Sequence, residues 1–395
     1  MRILIVHNYY QQLGGEDIVF ETESALLTSK GHDVFQFTQH NDDIQSGNKL
    51  ALLKDTFWNQ RVKNELKAFI REVKPDVVHF HNTFPMISPA AYYAVMEEGL
   101  PIVQTLHNYR LICPNGLFFR DGHICESCLN KTLSLPGIFH SCYRDNKAAT
   151  AVTAGMVAFH TYLGTWANAV DVFVANSQFA QDKLIEGGLP ADKFSFKPNF
   201  LHPAPETGDG EGQFGLYVGR LAPEKGLNTL LEAWEKLEQP YTLKIIGDGP
   251  LAPLVEEVVK RQIGVEWLGK LPLEEVYPIM GKASFLAFTS EWYETFGRVA
   301  IEAFASGTPV IASKIGAIEE LVTPFYNGLQ FEAGNADDLH TQIQWTLDHP
   351  EEMAHMRENA RLDFEEKYTA QQNYLQMMDI YQGAIDKKAT ETVRA

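Results

Sequence analysis

Short β-rich apolar runs alternate with helical patterns twice along this 395-residue chain, and that doubling limits the folds open to it. RILIV at 2–6, DVFQF at 33–37, DVVHF at 76–80, PIVQTL at 101–106 and VDVFVAN at 170–176 are separated by segments long enough for helices. A strand that returns to its sheet through a helix lies parallel to its predecessor, which predicts a parallel sheet covered on both faces. KPNFLHPAPETGDGEGQ at 197–213 is rich in Pro, Gly and acids and reads as a linker. The alternation restarts with FGLYV at 214–218, YTLKII at 241–246, VEWLG at 265–269, SFLAF at 284–288 and PVIAS at 309–313, predicting a second doubly wound α/β domain. From about 351 the pattern is helical and ends in a polar, frayed stretch. The length also exceeds the roughly 250–300 residues at which one core stops growing.

The formal net charge of −18 falls unevenly: residues 1–200 hold 17 basic and 20 acidic side chains, residues 201–395 hold 16 and 31. This excludes general nucleic-acid binding, which needs a basic footprint. Residues 49–74 run against the trend, with seven basic and three acidic side chains on a helical pattern. They suit an anionic membrane surface or a lipid pyrophosphate, or else the solvated outer face of a layer helix. No apolar run of about 18 residues appears, and MRILIVHNYY lacks a signal-peptide pattern. A cytoplasmic protein is expected, with peripheral contact at the inner face of the plasma membrane.

All four cysteines lie close together: Cys113, the CxxC pair Cys125 and Cys128, and Cys142. In a reducing compartment such clustering favours metal over disulfides, and four thiolates could close a structural zinc site, with His123 and His140 as substitutes. Reduced, unliganded cysteines are the alternative.

The chemistry concentrates at strand ends, where ligands collect in open parallel sheets. ETFGRVAIEAFASGTPVIAS joins two strands through an acidic loop and a helix expected over 297–306. Phe296 and Gly297 would present backbone N–H groups to an anion there. Glu294 and Glu302 suit neutral hydroxyls, which donate to a carboxylate. Read as a glycosidase couple, the two would stand roughly 12 Å apart along a helix, beyond the roughly 5–9.5 Å that chemistry uses. In VGRLAPEKGL, Arg220 and Lys225 leave a strand end and can stabilise a departing diphosphate. Gly14 and Gly15 in HNYYQQLGGED, and Gly247 in IIGDGP, permit close backbone approach, although no G-x-G-x-x-G is present. His79 and His81 share one strand face, and His107 follows an apolar strand where an imidazole can bond a hydroxyl.

In their order and spacing GGED, VGRLAPEKGL, GDGP and ETFGRVAIEAFASGTPVIAS resemble family 4 retaining glycosyltransferases of the GT-B fold, and VHFHNTFP, TLHNYRLICPNGLFFRDGHICESC and HSCY resemble a bacterial surface-polysaccharide subgroup. The resemblance implies two Rossmann-like domains facing a cleft: an acceptor-side domain over 1–197 with a cysteine-containing insert at about 110–145, a linker at 198–213, a nucleotide-sugar domain over 214–365, and a helix from 366 crossing back. It also implies transfer from a nucleoside-diphosphate sugar to a glycan or lipid-linked acceptor without catalytic metal, through front-face attack in which a donor phosphate oxygen takes the acceptor proton. Glu302 would bind the ribose, Arg220 and Lys225 the diphosphate, and Glu294 with Phe296 and Gly297 the sugar. Gly15 would lie against the phosphate, and His107 near sugar and acceptor. A nucleotide-sugar epimerase or hydrolase, and a silent nucleotide-sugar-binding scaffold, are the competing readings.

Overall fold

The computed structural model describes residues 1–11, 14–44, 49–261 and 264–394. The chain forms two compact units, one of Met1–Phe118, Cys125–Asn199 and Ala370–Ala395, the other of Phe119–Ile124 and Phe200–Thr369.

The first unit carries β1 (Arg2–Tyr9), β2 (Asp33–His40), β3 (Val77–Phe80) and β4 (Ile102–Leu106). After a two-stranded hairpin, β5 (Phe119–Arg120) and β6 (His123–Ile124), come β7 (Val172–Ala175) and β8 (Phe194–Phe196). The sheet is parallel in the order β2-β1-β3-β4-β7-β8. Its order reverses between β1 and β3, which opens a crevice beyond their C-terminal ends. Ile3, Ile5, Val77, Val103 and Val174 meet Met377, Tyr381 and Ala384 of the final helix, Ala370–Arg394, in one core.

The second unit repeats the plan with β9 (Phe214–Val218), β10 (Thr242–Ile246), β11 (Val265–Trp267), β12 (Phe285–Phe288), β13 (Val310–Ser313) and β14 (Gly328–Phe331), parallel in the order β11-β10-β9-β12-β13-β14. Side-chain alternation sends Leu286 and Phe288 into one core and Phe285 and Ala287 into the other. Here the reversal falls between β9 and β12.

The structure adds detail to two expectations. The Gly-rich part of the proposed linker is pinned: the N–H groups of Gly208, Gly210 and Gly212 donate to the carbonyls of Ser306 (2.9 Å), Gly281 (3.0 Å) and Lys282 (2.9 Å). A Cβ on Gly208 would lie 2.1 Å from the Gly281 oxygen, so glycine serves close approach there. The basic helix Gln60–Val73 buries Val62, Leu66, Ile70 and Val73. Its cations face acids of the first unit: Lys63 and Lys67 bond Glu97 at 2.5 and 2.6 Å, and Arg71 bonds Glu98 at 2.8 Å. These lysines hold the Glu97 carboxyl down at about 2. A face neutralised in this way has little charge left for a membrane, so the plainer reading, an outer layer helix, fits.

Candidate functional site

In the second unit the loops after β9 and β12 are stitched together at the sheet reversal. The Thr289 hydroxyl donates to the Lys225 carbonyl at 2.9 Å, and the Glu291 N–H to the Glu224 carbonyl at 2.9 Å. Gly226 has φ +66°, and a Cβ there would stand 1.8 Å from the Thr289 oxygen, so only glycine allows this approach. The result sets the Lys225 ammonium 2.5 Å from Glu294 Oε1. Ser290 Oγ at 2.9 Å and Trp292 Nε1 at 3.0 Å donate to the same oxygen, and the ammonium lies 5.2 Å from the Trp292 ring centre. Arg220, with its side chain 59% exposed, pairs with Glu224. Gly247 follows β10, and a Cβ there would lie 1.8 Å from the Gly219 oxygen, which holds the β10 turn against the arginine-bearing loop.

Gly297, at φ +102°, caps the helix Arg298–Ala305, whose residues 300–305 are all buried. Phe296 is buried with its ring 6.0 Å from Tyr368. Glu302 stands one turn beyond Arg298, whose Nε is 3.1 Å from its Oε1. Burial pushes the Glu302 carboxyl above its ordinary range and the guanidinium opposes the shift. Burial, then the nearby Glu302 charge, pushes the Tyr277 hydroxyl up to about 12. Glu294 thus lies in the loop and Glu302 on the helix, each beside a cation. Sequence reasoning missed Trp292, Ser290, Glu224 and Arg298. Of these only Arg298 left a signal, its i,i+4 spacing to Glu302.

In the first unit a buried polar cluster fills the matching end of the sheet. Glu23, on the inner face of helix Gly15–Ser29, binds Lys197 just beyond β8 at 2.5 Å, with both residues at most 1% exposed. His81 Nε2 lies 3.4 Å from the other Glu23 oxygen, and His81 Nδ1 lies 3.0 Å from His107 Nε2. Burial, then neighbouring cations, holds His79 and His81 well below the usual imidazole value and pushes His107 down to about 3. Of the facing nitrogens of His81 and His107 one donates and the other accepts. His79 bonds Tyr381 and Thr105 at 2.7 and 2.8 Å. Among the described residues Glu23, His79 and His81 form the one group with metal-ligand spacing, but Lys197 occupies the carboxylate and both His79 nitrogens are engaged. His7 and Asp17 pair beside it at 2.7 Å, and Asp17 accepts the Gly14 N–H at 2.7 Å. A Cβ on Gly15 would meet nothing within 4 Å. Because the three depressed histidines enter the fold neutral, they contribute stability that is present above the unfolded value near 6.5 and lost as pH falls. Urea midpoints should therefore drop between about pH 7.5 and about 5.5. Equal midpoints would contradict this.

The cysteines do not form the expected zinc set. No three of their sulfurs lie within 4.8 Å of one another. The Cys113 thiol, pushed up to about 11 by burial, donates to Asn115 Oδ1 at 2.9 Å, and Cys125 turns to Ser127. His123 bonds the Asp121 carbonyl at 2.9 Å.

Two parallel sheets of this kind, each with polar groups gathered at its reversal, define a two-unit, doubly wound α/β fold. The chain belongs to the glycosyltransferases of the GT-B fold: residues 13–204 match Glycosyltransferase Family 4 and residues 202–363 match Glycosyl transferases group 1. It is 26% identical over 360 residues to an uncharacterized 42.6 kDa protein in the cps region of Klebsiella pneumoniae, covering 81% of this chain and 87% of that one. An uncharacterized glycosyltransferase of Methanocaldococcus jannaschii is 34% identical over 180 residues, 45% of this chain and half (50%) of that protein. The fold is shared with sucrose-phosphate synthase from Thermosynechococcus elongatus (TM-score 0.72, 19% identity, 98% and 99% coverage). It is shared also with Anabaena Alr3699/HepE in complex with UDP (TM-score 0.68, 18% identity, 97% and 100% coverage).

Proposed function

We propose that the protein is a retaining glycosyltransferase that moves a hexose-type sugar from a nucleoside diphosphate to a glycan or lipid-linked acceptor, in bacterial surface-polysaccharide synthesis on the cytoplasmic side. The observation that carries this reading is the Lys225–Glu294 pair at the reversal of the second sheet, with Arg298–Glu302 on the adjoining helix. A departing diphosphate gains negative charge as the glycosidic bond breaks. An ammonium held at that point therefore stabilises the transition state more than the ground state. Arg220, exposed and paired with Glu224, adds a second cation once it exchanges that carboxylate for phosphate. Glu294, fixed by Ser290 and Trp292, accepts from sugar hydroxyls, and Glu302 accepts from the ribose. Gly15, Gly247, Phe296 and Gly297 supply backbone approach. His107, which follows β4 beside His81, stands near the sugar and acceptor. No protein nucleophile is assigned, and the acceptor proton passes to a donor phosphate oxygen. The cps-region relative supports the polysaccharide setting, and the UDP complex of HepE supports a nucleotide donor.

A thermal-shift panel of nucleoside diphosphates and their sugars tests this. A ligand at 100 times its Kd adds about 2.7 kcal/mol to the native state, so one base series should raise the unfolding midpoint. Glu302→Gln should abolish that rise. A flat response to every nucleotide at millimolar concentration would overturn the proposal.

A further inference from the structure

GGED at 14–17 and HNYR at 107–110 meet at one end of the first sheet. Glu16 lies in the first turn of helix Gly15–Ser29, which follows β1, and Arg110 lies in the loop that leaves β4. Asn108 joins them: its side-chain amide donates to Glu16 Oε2 at 3.3 Å, and its Oδ1 accepts the Arg110 backbone N–H at 3.0 Å. The Arg110 guanidinium is held by two rings, 4.7 Å from the Phe84 centre and 5.3 Å from the Tyr143 centre. Those rings meet edge to face at 5.8 Å. Tyr10 hydrogen-bonds to both charged groups, and burial, then the Glu16 charge, pushes its hydroxyl up. Burial likewise pushes the Glu16 carboxyl above its ordinary range, opposed by the Tyr10 hydrogen bond and then by the charges of His7 and Arg110.

Glu16 and Arg110 thus act on each other's charge, yet each leaves one atom unmatched. Glu16 Oε1 and Arg110 Nη1 are shut off from water and bond none of the described residues. Such orphans are costly in a folded chain and mark a place where something else completes the hydrogen bonding. Both residues are only half-buried, so a ligand can reach the pair. An ionised carboxylate oxygen accepts and a guanidinium N–H donates. A sugar ring serves both, because its hydroxyls donate to the one and accept from the other. An anion would meet Glu16 and a cation would meet Arg110, so the pair selects against either charge.

We infer that Glu16 and Arg110 grip hydroxyls of the acceptor and restrict it to a neutral sugar, excluding sugar phosphates and uronic acids. The inference rests on the transferase reading, which sets His107, the neighbour of Asn108, near the acceptor. The test follows release of the nucleoside diphosphate from the nucleotide sugar that stabilises the protein. Methyl glucoside, galactoside and mannoside are the neutral probes, methyl glucuronide and glucose 6-phosphate the charged ones. At least one neutral probe should accelerate the wild type, with kcat/KM at least about tenfold above either charged probe. Glu16→Gln, which keeps the shape and removes the charge, should shrink that preference at least about tenfold, a change of ratio that a general loss of structure does not produce. Arg110→Lys, which keeps the charge and loses the planar fork, should raise KM for the neutral probe more than it lowers kcat. Acceleration by charged probes alone, or by none of the five, would overturn the inference, as would an unchanged preference in Glu16→Gln. If no nucleotide sugar is turned over at all, the transferase reading itself falls, and the inference with it.

Discussion

Lys225→Ala should lower sugar transfer by about 10²–10³-fold, the loss seen when one preorganised donor to developing negative charge is removed. The loss should fall on kcat, because the ammonium acts on charge that appears as the bond breaks. Arg220→Ala should cost less, since its side chain is 59% exposed against 23% for Lys225. Release of the sugar to water from the nucleotide sugar chosen by thermal shift supplies the readout while the acceptor is unidentified. Release of the nucleoside diphosphate, which counts turnover to water and to acceptor alike, separates a transferase, in which it speeds up when acceptor glycans are added, from a hydrolase, in which it does not. A Lys225→Ala protein with undiminished turnover would remove the lysine from the mechanism.

Lys197→Met should destabilise the first unit by about 3–5 kcal/mol, the cost of stranding one charge of a buried pair. Glu23 would keep only the imidazoles of His81 and His79, at 3.4 and 4.0 Å, in a buried site. Replacing both, Glu23→Leu with Lys197→Met, should recover most of the loss, because two apolar groups leave no buried charge. Urea unfolding of the single and double variants measures both. Additive losses would show that the pair is not coupled.

Much of the fold is readable in the chain because a strand buried on both faces writes itself as an apolar run, as RILIV and SFLAF do. FSF at 194–196 and GLQF at 328–331 escape that reading: both are short edge strands, made strands by pairing with β7 and β13. The linker was legible in composition but not in contact, since the glycines at 208, 210 and 212 signal close packing as readily as flexibility. Among site residues, Arg298 and Glu302 sit on one helix face and could be paired from spacing alone. Lys225 and Glu294 are 69 residues apart, and Lys197 and Glu23 are 174 apart. Only the sheet order brings such partners together. The basic run at 49–74 left two readings open because the acids that pair with it, Glu97 and Glu98, lie on another element.

The central claim, that cations and carboxylates at the reversal of the second sheet grip a nucleotide sugar, is tested most directly by a crystal structure of the protein with the nucleotide sugar that stabilises it most. The account predicts Lys225 and Arg220 on the diphosphate, Glu302 on the ribose and Glu294 on the sugar hydroxyls. A ligand bound with Glu302 and Lys225 both beyond hydrogen-bonding reach would contradict it.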